Sequence, residues 1–263
     1  MLECVPYMVP RLSYLICTTP RSGSNLLCTT LWQTGIAGRP QEYFMPGLRD
    51  EFIRYAQLGV SEHPDYVRAV IRASTTPNGI FGTSVHAFQT ALVMKRIQHA
   101  EGKEFFSFRE AVETAFPNIK YIFLTRVDKV AQAVSYYRAV MTGEWRRFSD
   151  EHIPESNKTI KMDHYGIKKC LELLEQSDAY WEKFFEEHEL SPLRITFEDL
   201  TRKYGKTVQN ILSYLELPAV PIPPPATKKI SDERSKSWEE EFIQLEKKNP
   251  IHTEPTNYAW APF

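Results

Sequence analysis

The sequence predicts an α/β protein with a P-loop-like three-layer fold, in which a central, mostly parallel sheet is flanked by helices. Three observations carry this prediction. Short apolar runs of strand character recur at Tyr14–Cys17, Ile80–Val85, Tyr121–Leu124 and Leu193–Phe197. Helical stretches separate them, including Leu26–Thr34, Asp50–Gly59, Tyr66–Ala73, Phe88–His99 and Val127–Met141. The first strand also runs directly into a small, hydroxyl-rich loop followed by an apolar helix. Strands that read as continuous apolar runs are covered on both faces, and parallel neighbours need crossover helices to connect them. Sheets of this kind hold ligands at the carboxyl ends of their strands.

The loop after the first strand, Thr18-Thr19-Pro20-Arg21-Ser22-Gly23-Ser24-Asn25, has the composition of an anion cradle. A tight turn there aims backbone N–H groups at one point, and the next helix adds its unsatisfied amides and positive dipole end. Ser22, Ser24 and Asn25 supply donors, Arg21 a permanent charge, and Gly23 close access for a ligand. The G-x-x-x-x-G-K-[ST] and G-x-G-x-x-G phosphate motifs are both absent. Without the P-loop lysine, a nucleotide-dependent phosphotransferase is the weaker reading. A serine in such a turn also serves as an ordinary helix cap.

Further along, Tyr165–Glu189 reads as a long amphipathic helix with Leu171, Leu174, Tyr180 or Trp181, and Phe184 or Phe185 turned inward. Thr201–Leu215 reads as another helix. Leu217–Pro225 carries five prolines and is therefore an extended connector. It leads into a basic, polar segment, Lys228–Ser237, and a last helix through Glu246.

Composition narrows the function classes. The 263 residues carry a formal net charge of -1, from 32 basic and 33 acidic side chains, which argues against a general nucleic-acid or anionic-membrane binder. Cys4, Cys17, Cys28 and Cys170 lack C-x-x-C spacing, so neither a zinc site nor a disulfide framework is indicated, and no metal is expected. With no leader-like start and no long uncharged apolar run, stable membrane insertion is not expected and a cytoplasmic protein is the default.

A second informative stretch is Tyr121-Ile122-Phe123-Leu124-Thr125-Arg126-Val127-Asp128, continuing through Ser135 to Ala139. Arg126 stands where a strand ends and Ser135 falls on the following helix, so both can face one ligand and hold a second phosphate. The plain alternative is an Arg126–Asp128 surface pair and a serine tolerated on a helix.

Taken together, P-R-S-G-S at 20–24, G-R-P-Q-E-Y-F at 38–44, T-P-N-G-I-F-G at 76–82, R-x-D-x-x-x-Q-A-x-S-x-x-R-A at 126–139 and R-S-x-x-W at 234–238 resemble the Stf0 family of sulfotransferases, whose type member modifies trehalose. The resemblance spans nearly the whole chain. It implies the PAPS-dependent sulfotransferase fold, a single domain over 1–263, and 3′-phosphoadenosine 5′-phosphosulfate (PAPS) as donor with 3′-phosphoadenosine 5′-phosphate (PAP) as product. By that resemblance Arg21, Ser22, Gly23, Ser24 and Asn25 cradle the 5′-phosphosulfate, with Arg21 also acting in catalysis. Arg126 and Ser135 hold the 3′-phosphate, joined by Arg234 and Ser235 from the 217–237 connector and basic segment, which closes over the donor.

Glu42 matches the family's general base, and the resemblance implies a carbohydrate or glycolipid hydroxyl as acceptor. Acceptor contacts are expected from Pro20, Arg39, Pro40, Gln41, Glu42, Tyr43, Phe44, His86 and Trp145. Two departures stand out. Pro20 replaces a common Gln and Arg39 a common acidic residue, both on the sugar side, which weakens the case for trehalose itself. Ser84 stands where relatives often carry Lys, so His86 is a candidate substitute, and a binder of PAPS or PAP without turnover stays an alternative reading. A homodimer is left open.

Overall fold

The computed structural model describes residues 9–45, 63–145, 159–227 and 231–250. The helix expected at Asp50–Gly59 lies outside them.

Four parallel strands form one sheet in the order β2-β1-β3-β4: β1 Leu12–Thr18, β2 Ile80–His86, β3 Ile119–Thr125 and β4 Leu193–Thr196. β1 is central, with Thr18 opposite His86 on one side and Leu124 on the other. Every residue of β1 and β2 is buried, as continuous apolar runs require of a sheet covered on both faces. On one face Leu15, Cys17, Phe81 and Phe123 join a cluster with α2 His63–Ser74, α3 Thr90–Glu101, α4 Phe108–Ala115 and α6 His164–Glu187. On the other, Tyr14, Ile16 and Ile122 pack with α1 Ser24–Gln33 and α8 Tyr204–Tyr214. The three expected layers are therefore present, and the sheet is parallel throughout the described residues.

The strand order positions the site. The chain leaves β1 to build β2 on one side, then returns across it to build β3 on the other. The carboxyl ends of β1 and β3 thus flank a topological switch point, where a crevice opens in an α/β sheet. The loop of residues 19–23 leaves from one of these ends and Arg126 from the other.

Several expected boundaries shift for local reasons, among them the start of the last helix, which Asp232 caps at Glu233, inside the expected basic segment. The strand expected at Leu193–Phe197 stops at Thr196 because that side chain accepts a hydrogen bond from Asp199 N at 3.0 Å and caps α7, Phe197–Arg202. The single helix expected over Thr201–Leu215 is two, broken at Lys203, whose φ of -121° and ψ of 36° are not helical. The proline-rich connector is extended and packs Val220 and Ile222 against the α1/α8 cluster. It leads to the last helix, α9 Glu233–Lys248, which lies with α5 Lys129–Thr142 and α6 around Trp238 and Phe242.

Candidate active site

The loop after β1 is closed by its own hydroxyls. Thr18 Oγ1 donates to Leu124 O at 2.9 Å and lies 2.5 Å from Ser22 Oγ, tying the turn to the last residues of β3. Trp181 Nε1 donates to Thr18 O at 3.0 Å from the opposite face. Gly23, at φ +92°, is the N-cap of α1, and no side chain caps that end. By contrast α4, α5, α6, α7 and α9 each have a capping side chain, from Ser107, Asp128, Asp163, Thr196 and Asp232. The first-turn amides of α1 thus have no side-chain cap, as at the starts of α3 and α8, and of these three only α1 is preceded by a glycine in the left-handed region. Neither Ser22 nor Ser24 is spent as a cap.

Gly23 is fixed by both conformation and space. A Cβ there would lie 2.9 Å from the Phe197 ring. Gly23→Ala is expected to lower stability by about 1–3 kcal/mol, from left-handed backbone strain plus the clash, read as a fall in Tm.

Arg21 reaches from the loop to α5. It sits in the left-handed region at φ +65°, and its Nε donates to Ser135 Oγ at 2.9 Å while Nη1 donates to Trp145 O. It thereby lines a small open concavity with Ser135, Arg138, Glu144 and Ser235. Arg138 is buried and forks onto Asp232, with Nη1 to Oδ1 at 2.6 Å and Nη2 to Oδ2 at 3.0 Å, and it also meets Ser235 Oγ. Arg126 stacks over Phe197 at 4.7 Å. The Nε atoms of Arg126 and Arg138 are buried without a hydrogen-bond partner.

Burial raises the cost of holding charge at this corner. Burial, then the neighbouring Arg126, draws the Arg21 pKa down to about 10. Burial also lowers Arg126, offset in part by Asp128 and Glu198. Desolvation thus leads both shifts, and at Arg21 the nearby Arg126 adds to it, so a bound anion would offset the cost of holding these guanidinium groups away from water.

Asp232 is held well below the usual carboxylate range, first by Arg138 and then, against some desolvation, by the Ser235 N–H. A depressed carboxylate stabilises the fold above the ordinary carboxylate range, and the gain is lost as pH falls through the lower folded-state value. Asp232→Asn should therefore melt below the wild type near neutral pH, and the two melting temperatures should converge on acidification.

Glu42 lies at the same end of the sheet, on a loop anchored by backbone. Gln41 O accepts from Ser84 N at 3.0 Å and from Thr83 Oγ1 at 3.1 Å. Glu42 Oε1 accepts from Ser24 Oγ, the first residue of α1, at 3.2 Å and lies 3.1 Å from His86 Nε2 at the end of β2. His86 is itself buried and stacked on Phe88. The carboxylate keeps some access, with its side chain 18% exposed. Burial and the charge of Glu42 push the Cys28 thiol upward, so it stays protonated beneath the site.

The remaining expected residues fall into distinct places. Pro20 is buried and its carbonyl accepts from Gln132; Asn25 is half-buried in the first turn of α1. Pro40 is buried beside the Gln41 anchor. Tyr43 turns its hydroxyl to Arg39 O at 2.6 Å, and Phe44 packs fully buried against Tyr66 and Phe116. Arg39 is exposed, with Nη1 3.5 Å from Ala73 O. Trp145 rests against Tyr136 at 6.0 Å. Arg234 turns to Ile160 O and over Trp238, whereas Ser235 lines the concavity. Three contributors escaped the sequence reading: Gln132, Arg138 and Asp232. Gln132 and Arg138 stood as fixed letters of the 126–139 motif, three positions either side of Ser135, without a role of their own.

The sequence profile described as Stf0 sulphotransferase matches residues 13–244. The chain belongs to this family. Two curated relatives of this Stf0 sulphotransferase bear the name trehalose 2-sulfotransferase. The protein from Mycolicibacterium smegmatis is 27% identical over 253 residues, covering 88% of this chain and 94% of its own. That from Mycobacterium tuberculosis is 28% identical over 257 residues, covering 87% and 93%. Among solved structures, a sulfotransferase from Alicyclobacillus acidocaldarius aligns at TM-score 0.47 and 15% identity, over 93% of this chain and 98% of that one. The sulfotransferase domain of the Synechococcus PCC 7002 olefin synthase aligns at 0.42 and 16%, over 95% and 98%. Among the described residues, no helix of this sulphotransferase is long and apolar enough to cross a membrane, and no three His, Cys, Asp or Glu side chains cluster as a metal site would need.

Proposed function

We propose that this Stf0 sulphotransferase moves a sulfuryl group from PAPS to a hydroxyl of a carbohydrate or glycolipid. The uncapped start of α1 takes the 5′-phosphosulfate, and Arg126 with Ser135 takes the 3′-phosphate. Arg21 spans the two. In the transfer, the acceptor oxygen bonds to sulfur as the bond from sulfur to the bridging phosphate oxygen breaks, and the acceptor proton passes to Glu42. PAP leaves. Cationic side chains and helix amides counter the charge that builds on the transferring and leaving groups.

The observation that carries this reading is the placement of Glu42. A carboxylate bonded to the first residue of the uncapped helix puts a proton acceptor beside the anion cradle, as in-line transfer to a hydroxyl needs. The names of the two relatives favour a small carbohydrate acceptor, while Pro20 and Arg39 leave trehalose itself in doubt. A donor binder without turnover is the second reading, favoured by Ser84, which brings no charge to the end of β2.

Incubating the protein with radiolabelled PAPS and a panel of sugars and glycolipids tests the proposal. Label transferred to a hydroxyl supports it. Tight PAP binding without transfer to any acceptor favours the binder, and preference for ATP over PAP overturns both.

A further inference from the structure

Gln132 lies on α5 one turn before Ser135, and its side chain is completely buried. Its Nε2 donates to Thr19 Oγ1 at 3.0 Å and to Pro20 O at 2.7 Å, using both of its hydrogens on the corner that precedes Arg21. Its Oε1 accepts from Lys129 Nζ at 3.2 Å, and Lys129 is ion-paired with Asp178 of α6. Three residues on, Ser135 takes the Arg21 Nε. One face of α5 therefore grips the loop twice, by its backbone through Gln132 and by its charged side chain through Ser135. Between the two grips stands Arg21, a non-glycine residue held in the left-handed region. Such a conformation persists only where its surroundings hold it.

From this we infer that Gln132 is a positioning residue that sets the spacing between the α1 cradle and the Arg126–Ser135 pocket. The inference rests on the reading of PAPS as donor. A ligand with two anionic ends gains from a rigid, matched spacing, because its second contact forms at high effective concentration. Loosening the spacing removes that gain and leaves each single contact intact. An amide is suited to the role: it carries two donors and one acceptor without a charge to bury, and all three are used here.

The test compares PAP with adenosine 5′-phosphate and adenosine 3′-phosphate by calorimetry, in the wild type and in Gln132→Met, which keeps the volume and removes the hydrogen bonds. The wild type should bind PAP much more tightly than either monophosphate. In Gln132→Met that advantage should fall by about tenfold, the equivalent of about 1.4 kcal/mol, with both monophosphates little changed. Equal weakening of all three ligands, or an unchanged PAP advantage, overturns the inference. Gln132→Asn, which keeps the amide but is one methylene too short to span both acceptors, gives an independent reading should Gln132→Met not fold, and the same loss of advantage is expected. A wild type with no preference for PAP would instead defeat the donor reading, so the two failures are distinct.

Discussion

Glu42→Gln lowers turnover by about 10²–10⁴-fold, the range that a positioned general base supplies, and leaves PAP affinity within about twofold. The substitution is nearly isosteric, and an amide at position 42 can still accept from Ser24 Oγ and face His86 Nε2 through its oxygen, so the loop should keep its place. What it loses is the ability to take a proton from the acceptor hydroxyl. The proposed donor contacts come from other residues, which is why binding and chemistry should separate. Full turnover with a good acceptor would mean that another group takes the proton, and His86, 3.1 Å away, would be the first to examine. Single-turnover rates with labelled PAPS, beside PAP titrations of the same variant, read the two effects independently.

Arg126→Ala weakens PAP binding by roughly 10- to 150-fold, since losing a charge-assisted contact costs about 1.5–3 kcal/mol. The guanidinium is aligned in advance by its place at the end of β3 and its stacking on Phe197, and its Nε has no protein partner to lose. Nearby structure should survive, because Glu198 keeps two backbone donors, Val127 N at 3.1 Å and Asp128 N at 3.3 Å. Adenosine 5′-phosphate, which lacks the group Arg126 is proposed to hold, should bind within about twofold of wild type. Calorimetry with both nucleotides checks this. PAP affinity unchanged within twofold would remove Arg126 from the donor site.

Much of this arrangement was legible in the chain because the signals are local. The apolar runs of β1, β2 and β3 mark buried parallel strands, and the small hydroxyl-rich turn after β1 marks a helix start, though not whether a serine caps it. Other features had a local signal that weaker patterns masked. The helix α4 is only eight residues long, yet Ser107 with Glu110 three positions on is a helix-start signature, and Ser107 Oγ does accept from Glu110 N at 3.1 Å. Thr196, a good N-cap residue, starts α7 at Phe197, earlier than the apolar pattern implied.

Features set by tertiary contact had no such signal. Nothing in the sequence orders the strands β2-β1-β3-β4, and that order alone brings the loop of residues 19–23 beside Arg126. Likewise the pairing of Glu42 with His86 joins residues 44 positions apart through the sheet edge. The contact of Arg21 with Ser135, 114 positions away, also had no local signal. Gln132 stood in the 126–139 motif without a role until the fold laid α5 across the loop.

Two separated anion pockets, joined by α5, are the central claim, and a crystal structure of the protein with PAP tests it most directly. The expected result is the 5′-phosphate against the first-turn amides of α1, with the 3′-phosphate between Arg126 and Ser135. PAP bound with either phosphate in another place would contradict it.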